Sequence, residues 1–163
     1  IKLKKIIKLN NLNVAKCFKL IFDNKSDYEY FSNLGWSKNQ FLKQIKKKIN
    51  FSFCLNNYDK LVGFIIGDLI TIEKKLEYEI LLIYVDTKYR NKGNATLLLD
   101  TIIKYSIDNN LNRICLEVAQ SNIGAISLYE KNKFIRVGYR KNYYRLSSLE
   151  KDNCIIYEKK FND

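Results

Sequence analysis

The chain has 163 residues, 47% hydrophobic and 13% aromatic, with a formal net charge of +12. That length and apolar content suit a single domain spanning residues 1–163 with one real core, and they exclude a disordered chain. No apolar run reaches the roughly 18 residues that cross a bilayer, so no membrane partner is expected.

In chain order, Ile1 to Leu9 has the β-branched content of a first strand. Asn11 can cap a helix that turns Val14, Phe18 and Leu20 to Phe22 toward the core. After a polar break, Gly35-Trp36-Ser37 introduces a second helix, with Ser37 as its N-cap and Phe41, Leu42, Ile45 and Ile49 as its apolar stripe. Lys46-Lys47-Lys48 falls in the last turns of that helix, where cations complement the dipole, and reads as a solvated end. Strands follow at Phe51 to Leu55 and, past a turn over Asn56 to Lys60, at Leu61 to Ile72. A longer strand, Leu76 to Val85, alternates at first and is then continuously apolar, so one end is half exposed and the other buried on both faces.

The stretch Val85 to Leu99 reads as strand, turn and helix. Its helix shows apolar spacing through Ala95, Leu98, Leu99, Ile102, Ile103 and Ile107. Arg90 and Lys92 stand in the turn, and Gly93 marks the start of the helix. Free backbone N–H groups, the positive helix end and two cations can therefore converge on an anion, best a phosphate. A solvated structural turn is the plainer alternative. Walker and dinucleotide fingerprints are both absent.

Asn109-Asn110 ends that helix, and Arg113 to Val118 is another buried strand. A helix over Ile123 to Lys131 comes next, capped by Ser121 or Asn122, with Ala125, Leu128 and Tyr129 on one face. Strands Phe134 to Arg140 and Cys154 to Phe161 close the chain. The order predicts a mixed α/β (α+β) domain with one sheet of about seven strands and about four helices on its faces. A monomer or weak dimer is expected.

Several chemistries are excluded. Cys17, Cys54, Cys115 and Cys154 are scattered and there is no His, so no metal site is expected. Four reduced thiols suit a reducing compartment, and the first residues lack a secretory pattern, so a cytoplasmic protein is expected. The positive charge is mostly Lys beside abundant Asn, Ile and Tyr, a coding bias rather than a nucleic-acid face, so direct nucleic-acid binding is not expected as the main function. With no His, proton transfer must use Glu, Asp, Tyr, Lys or Cys. Glu117, between Leu116 and Val118, is costly as an ionised group unless paired or hydrated, and suits a structural or a catalytic role. Tyr129 alone reads as an amphipathic core tyrosine.

Arg90-x-x-Gly93-x-Ala95 resembles the pyrophosphate loop of the GNAT superfamily of N-acetyltransferases. Leu116-Glu117-Val118-x-x-Ser121-Asn122, Ala125-Ile126-x-Leu128-Tyr129-Glu130-Lys131 with Phe134, Gly35-Trp36-Ser37 and Lys141-Asn142-Tyr143-Tyr144 resemble its RimI-type branch, which acetylates the N-terminal alanine of a ribosomal protein. The resemblance implies a mostly antiparallel sheet and acetyl-CoA as cosubstrate. It implies Glu117 as general base and Tyr129 as general acid. It further implies that main-chain groups of Ile83, Tyr84 and Val85 hold the pantetheine arm, that Arg90, Asn91, Lys92, Gly93, Asn94, Ala95 and Thr96 hold the pyrophosphate, and that Asn122 bonds the cofactor's amide portion. Trp36, Tyr143 and Tyr144 would flank the peptide. Departures from the pattern are Ala119 for Arg, Asn94-Ala95 for an apolar-Gly pair, Gly35 for Pro and Lys133 for Gly.

The implied substrate is a protein N-terminus, that of a ribosomal protein. At pH 7 an α-amine is roughly 10% neutral, whereas a lysine is neutral in about one part in a few thousand, a gap worth roughly 3.4 kcal/mol. A carboxylate working through water suits the easier substrate. A relative acting on lysine or a small-molecule amine, and a non-catalytic basic ribosome- or RNA-associated protein, are the other readings. A pure binding module has no need of the anion turn, Glu117 and Tyr129 together.

Overall fold

A computed structural model describes residues 4–46 and 51–161 of the chain; the side chain of Ile45 is not described. The expectations for Ile1 to Leu3, Lys47, Lys48 and Ile49 lie outside the described residues. The elements run β1 (Lys4–Lys8), α1 (Val14–Phe22), α2 (Lys25–Asn33), α3 (Lys38–Ile45), β2 (Phe53–Asn57), β3 (Lys60–Ile72), β4 (Lys75–Val85), α4 (Asn94–Asp108), β5 (Arg113–Ala119), α5 (Ile123–Lys131), β6 (Ile135–Arg145) and β7 (Lys151–Lys160). A single 3-10 turn, Thr87–Tyr89, links β4 to α4.

The strands form one seven-stranded sheet in the order β1-β2-β3-β4-β5-β7-β6. Every neighbouring pair is antiparallel except β4 and β5, which α4 connects as a crossover. Parallel neighbours need such a crossover because their ends lie at opposite edges of the sheet. Two apolar clusters cover its faces. One gathers Leu98, Leu99 and Ile102 of α4 and Tyr129 of α5 over Val62, Tyr78, Leu116 and Val118. The other gathers Val14, Cys17 and Ile21 of α1 and Phe41 of α3 over Phe64, Leu82 and Tyr84.

All seven strands were expected, β6 only in its first half, and the helices need three corrections. The polar break between the first two expected helices is itself a helix, α2, so the described residues hold five α-helices where about four were expected. It buries none of its residues and so lacks an apolar stripe; its start is set by Asn24, whose side chain accepts from the Asp27 N–H. Second, α1 starts after Asn13 and not Asn11, and it buries Cys17, not Phe22, which is 56% exposed. Third, α4 buries Ser106 while Ile107 is exposed, because the stripe through Leu98, Leu99 and Ile102 meets Ser106 one turn on.

The half-exposed end expected of β4 is closed by charge. Glu77 is buried and accepts from Arg113 Nε at 2.7 Å, while Arg113 Nη1 reaches Glu158 at 2.7 Å. This trio ties β4, β5 and β7 together at one end of the sheet, opposite the end where the strands separate.

Candidate active site

β4 and β5 pair only from Glu77 with Arg113 to Ile80 with Leu116, yet β4 continues to Val85 and β5 to Ala119. The strands fork there. Past the fork the β5-facing edge of β4, at Ile83 to Val85, has no strand partner, the kind of edge an extended ligand can pair with. A cleft of about 630 Å³ fills the fork, lined by those three residues, by Arg90, Asn91, Gly93, Asn94, Ala95 and Thr96, and by Asn122, Ala125 and Leu128 across the gap. Residues far apart in sequence thus meet around one elongated space.

At the anion turn, Gly93 is the N-cap of α4 with φ +74°, a left-handed conformation that glycine adopts without strain. A Cβ built there would meet nothing within 4 Å, so the backbone lies open to the cleft. The first intrahelical bond runs from Leu97 N–H to the Gly93 carbonyl, which leaves the N–H groups of Asn94, Ala95 and Thr96 ahead of it. Asn94 is buried and donates its amide to the Tyr89 carbonyl at 2.7 Å, bracing the turn against the helix. That explains a polar residue where the resemblance leads one to expect an apolar one.

The two cations of the turn do not both face the cleft. Lys92 donates to the Lys88 carbonyl at 3.0 Å and lies 5.8 Å over the Tyr89 ring, and it is not among the residues lining the space. Arg90 lines the cleft but donates Nε to the Val85 carbonyl at 2.9 Å and Nη2 to Asp27 at 2.6 Å. An anion held at this turn would therefore meet backbone N–H groups and the helix end first.

Glu117 is the first residue of β5 past its pairing with β4, and its side chain is 28% exposed. Arg140 Nη1 of β6 contacts it at 2.6 Å. The Tyr143 phenol lies near the same carboxylate, whose charge, with burial, raises the phenol's pKa. Tyr129 follows Leu128 of the cleft wall and is 4% exposed; burial, with Tyr30 nearby, pushes its phenol well above the ordinary value. A phenol so placed stays protonated at neutral pH and can donate but not accept a proton. Asn122 caps α5 by accepting from the Ala125 N–H at 3.1 Å, and it lines the cleft with Tyr30 of α2.

Trp36 packs edge-on against Phe41 at 5.2 Å, as part of the cluster under α1 and α3. Tyr143 and Tyr144 meet edge to face at 5.0 Å, and they lie within β6, not in a connection before the last strand as the sequence reading had it. β6 is longer than expected because it shifts register between Arg140 and Tyr144 and resumes pairing at Tyr144 with Asp152. The two sides are joined where Asn33 of α2 donates to the Leu146 carbonyl, just past β6. Glu117, Tyr129, Trp36 and the tyrosine pair do not line the main cleft. Sequence reasoning missed Asp27, Tyr30 and Arg140. The first two share a helix that its polar pattern concealed, and the third reaches Glu117 from across β7.

Residues 15–134 match the profile of the Acetyltransferase (GNAT) family. The chain belongs to the GNAT family. It is 30% identical over 74% of its length, and 80% of the relative's, to the [ribosomal protein bS18]-alanine N-acetyltransferase of Haemophilus ducreyi. With an N-alpha-acetyltransferase of Saccharolobus solfataricus it shares 31% identity over 85% of its own length and 78% of the relative's. The fold superposes on the crystal structure of Arabidopsis thaliana NAA60 in complex with acetyl-CoA with a TM-score of 0.81, at 16% identity, covering 98% of this chain and 99% of the other.

As a GNAT enzyme the protein carries out acetyl-CoA-dependent N-acetylation. The fork suits that cosubstrate: an unpaired strand edge on one wall for an extended amide chain, and an open glycine with helix N–H groups at one end for phosphate. Among the described residues no group of three His, Cys, Asp or Glu could hold a metal ion. Among them, too, no helix is long and apolar enough to cross a membrane.

Proposed function

We propose that this GNAT enzyme acetylates the α-amine of a protein N-terminus in the cytoplasm, and that its substrate is the N-terminal alanine of a small ribosomal subunit protein. The observation that carries the reading is Glu117 at the fork, on the opposite face of β5 from Leu116 and Val118, beside the Tyr143 phenol. The relatives named for α-amine and ribosomal-protein alanine acetylation support it.

In this reading the substrate amine reaches the fork from the side of Trp36 and Tyr143-Tyr144. Glu117 takes a proton from it through water, Arg140 fixing the carboxylate's direction while leaving oxygen lone pairs free. The amine nitrogen bonds to the thioester carbonyl carbon, the carbon–sulfur bond breaks, and Tyr129 donates a proton to the departing CoA thiolate. Main-chain groups of Ile83 to Val85 hold the pantetheine arm, and the turn from Arg90 to Thr96, with Lys92 supplying backbone only, holds the pyrophosphate. Asn122 serves by capping α5 and facing the arm. Large aromatics at the entrance favour a slim first residue.

The test is a mass-spectrometric screen of otherwise identical peptides that differ in their first residue. Alanine at the start is expected to react fastest, with branched residues at least about tenfold slower, the discrimination a methylene or two can support in a tight pocket. Equal rates across the panel would contradict the substrate assignment.

A further inference from the structure

A coding bias accounts for the abundant lysine of this chain, but not for where its few arginines stand. Of the five, Arg90, Arg113, Arg136, Arg140 and Arg145, three fall within the eleven residues of β6, which hold three tyrosines and no acid. β6 is the last strand at its edge of the sheet, and all but two of its residues are exposed.

Two register shifts sort these side chains. Arg136 lies beside Tyr157 of β7, Tyr139 beside Ile155 and Arg145 beside Lys151, and alternate residues of β7 share one face. Arg136, Tyr139, Arg145 and Lys151 therefore come to one face of the sheet edge, although their spacing along β6 alone would not align them. Arg140, beside Cys154, goes to the opposite face, as Glu117 beside Ile156 does. Arg136 stacks over the Tyr139 ring, its guanidinium carbon 5.4 Å from the centroid, and that ring stays 46% exposed. Of the acids at the ends of β6, Glu130 accepts from the Tyr157 hydroxyl at 2.8 Å and Glu150 is exposed in the turn to β7. Positive charge and aromatic surface thus share one face.

The same shifts narrow what this edge can hold. An added protein strand needs a regular ladder, and the bulges between Arg136 and Gly138 and between Arg140 and Tyr144 interrupt it twice. A second copy of this chain would bring like charges together. Single-stranded RNA needs no ladder; it offers phosphates to the guanidinium forks and bases to the tyrosine. Arg136 and Arg145 lie opposite β7 residues six apart, roughly 20 Å, room for several nucleotides.

We propose that the face formed by Arg136, Tyr139, Arg145 and Lys151 docks single-stranded RNA, and so brings the enzyme to acceptors carried on RNA. Being on the face opposite Glu117, it accompanies acetyl transfer without taking part in it. It does not depend on which amine the enzyme acetylates.

Fluorescence anisotropy with a labelled, mixed-sequence RNA of about a dozen nucleotides tests it. The proteins are wild type, Tyr139→Ala, the pair Arg136→Glu with Arg145→Glu, and the exposed control pair Lys74→Glu with Lys75→Glu, which changes net charge equally. The arginine pair is expected to bind at least about tenfold more weakly. It should also flatten the slope of log K against log salt by about 1.4, two phosphate contacts at roughly 0.7 each. Tyr139→Ala is expected to lose about fivefold or more with its salt slope unchanged, since stacking releases no counterion. The control pair should weaken binding less than about threefold, and every variant should keep wild-type affinity for acetyl-CoA, which reports that it is folded. Equal weakening by the two charge-reversed pairs, unchanged binding by the arginine pair or by Tyr139→Ala, or no binding by wild type overturns the proposal. So does equal or tighter binding of a labelled oligoglutamate of the same charge, which would make the face an acidic-peptide surface. Should the Glu pair fail to fold, Arg136→Gln with Arg145→Gln carries the same expectation for the salt slope.

Discussion

Glu117 has two carboxylate oxygens and must serve Arg140, the Tyr143 phenol and, in the proposed mechanism, a water that receives the substrate's proton. A carboxylate has about four lone-pair sites, so these demands are compatible. Replacing it with Gln keeps the shape but removes the base. Glu117→Gln is expected to lower single-turnover acetyl transfer by about 10²-fold with little change in acetyl-CoA affinity, and wild-type rates from pH 6 to 9 would reduce Glu117 to a structural role. Tyr129→Phe keeps the ring against Phe134 at 5.7 Å and removes only the hydroxyl, so the same assay should show slower turnover in a protein of unchanged melting temperature. Glu117 stood out in the sequence because an acid between two buried apolar residues needs an explanation. Its partner Arg140 did not, since an arginine in an exposed strand has many ordinary uses and the contact is made across β7.

The elements that carry these residues are held by local devices. At the end of α5, Phe134 N–H bonds the Tyr129 carbonyl at 3.0 Å and Lys133 N–H bonds the Glu130 carbonyl at 3.0 Å, a Schellman closure. Lys133 sits at its left-handed position with φ +63°, where a Cβ is unfavourable. Lys133→Gly should therefore stabilise the protein by about 1 kcal/mol, read as a rise of roughly 2 to 4 °C in Tm; a fall would show that the lysine side chain does something the closure does not need. At the other end of α5, Asp152 of β7 accepts from the N–H and hydroxyl of Ser121 at 3.0 and 2.6 Å. Burial alone would raise its pKa, but these bonds and that from the Asn153 N–H hold it below the usual value. Because the folded value lies below the unfolded one, this stability is present above about pH 4 and is lost as pH falls through the folded value. Asp152→Asn should cost about 1 kcal/mol at neutral pH in urea denaturation, and the difference from wild type should shrink toward pH 3; a gap that stays constant with pH would contradict the ionic origin. The buried strands and α4 were legible because burial on one or both faces writes a period into the sequence, whereas the exposed second half of β6 carries none. Helix α2 was not, because polar anchors and not an apolar stripe hold it; the pair Asn24 and Asp27, an N-cap followed by an acid in the first turn, was the available signal.

At the scale of the whole molecule, the charge trio of Arg113, Glu77 and Glu158 clamps one end of the sheet and the fork opens the other. Family membership accounts for the cosubstrate, while the choice of acceptor depends on what the rim of the fork admits. In the proposed reading Trp36 and the Tyr143-Tyr144 pair flank the entrance and suit it to a chain end. In that reading Glu117 is the base, and an α-amine makes the smaller demand on it, by roughly 3.4 kcal/mol relative to lysine. The most direct test gives the enzyme acetyl-CoA and one peptide that begins with alanine and contains one internal lysine, and locates the added acetyl group by fragment-ion mass spectrometry. Acetylation of the α-amine at least about 10²-fold ahead of the lysine is expected from that gap; equal or faster acetylation of the lysine would contradict the N-terminal assignment while leaving the acetyl-CoA chemistry in place.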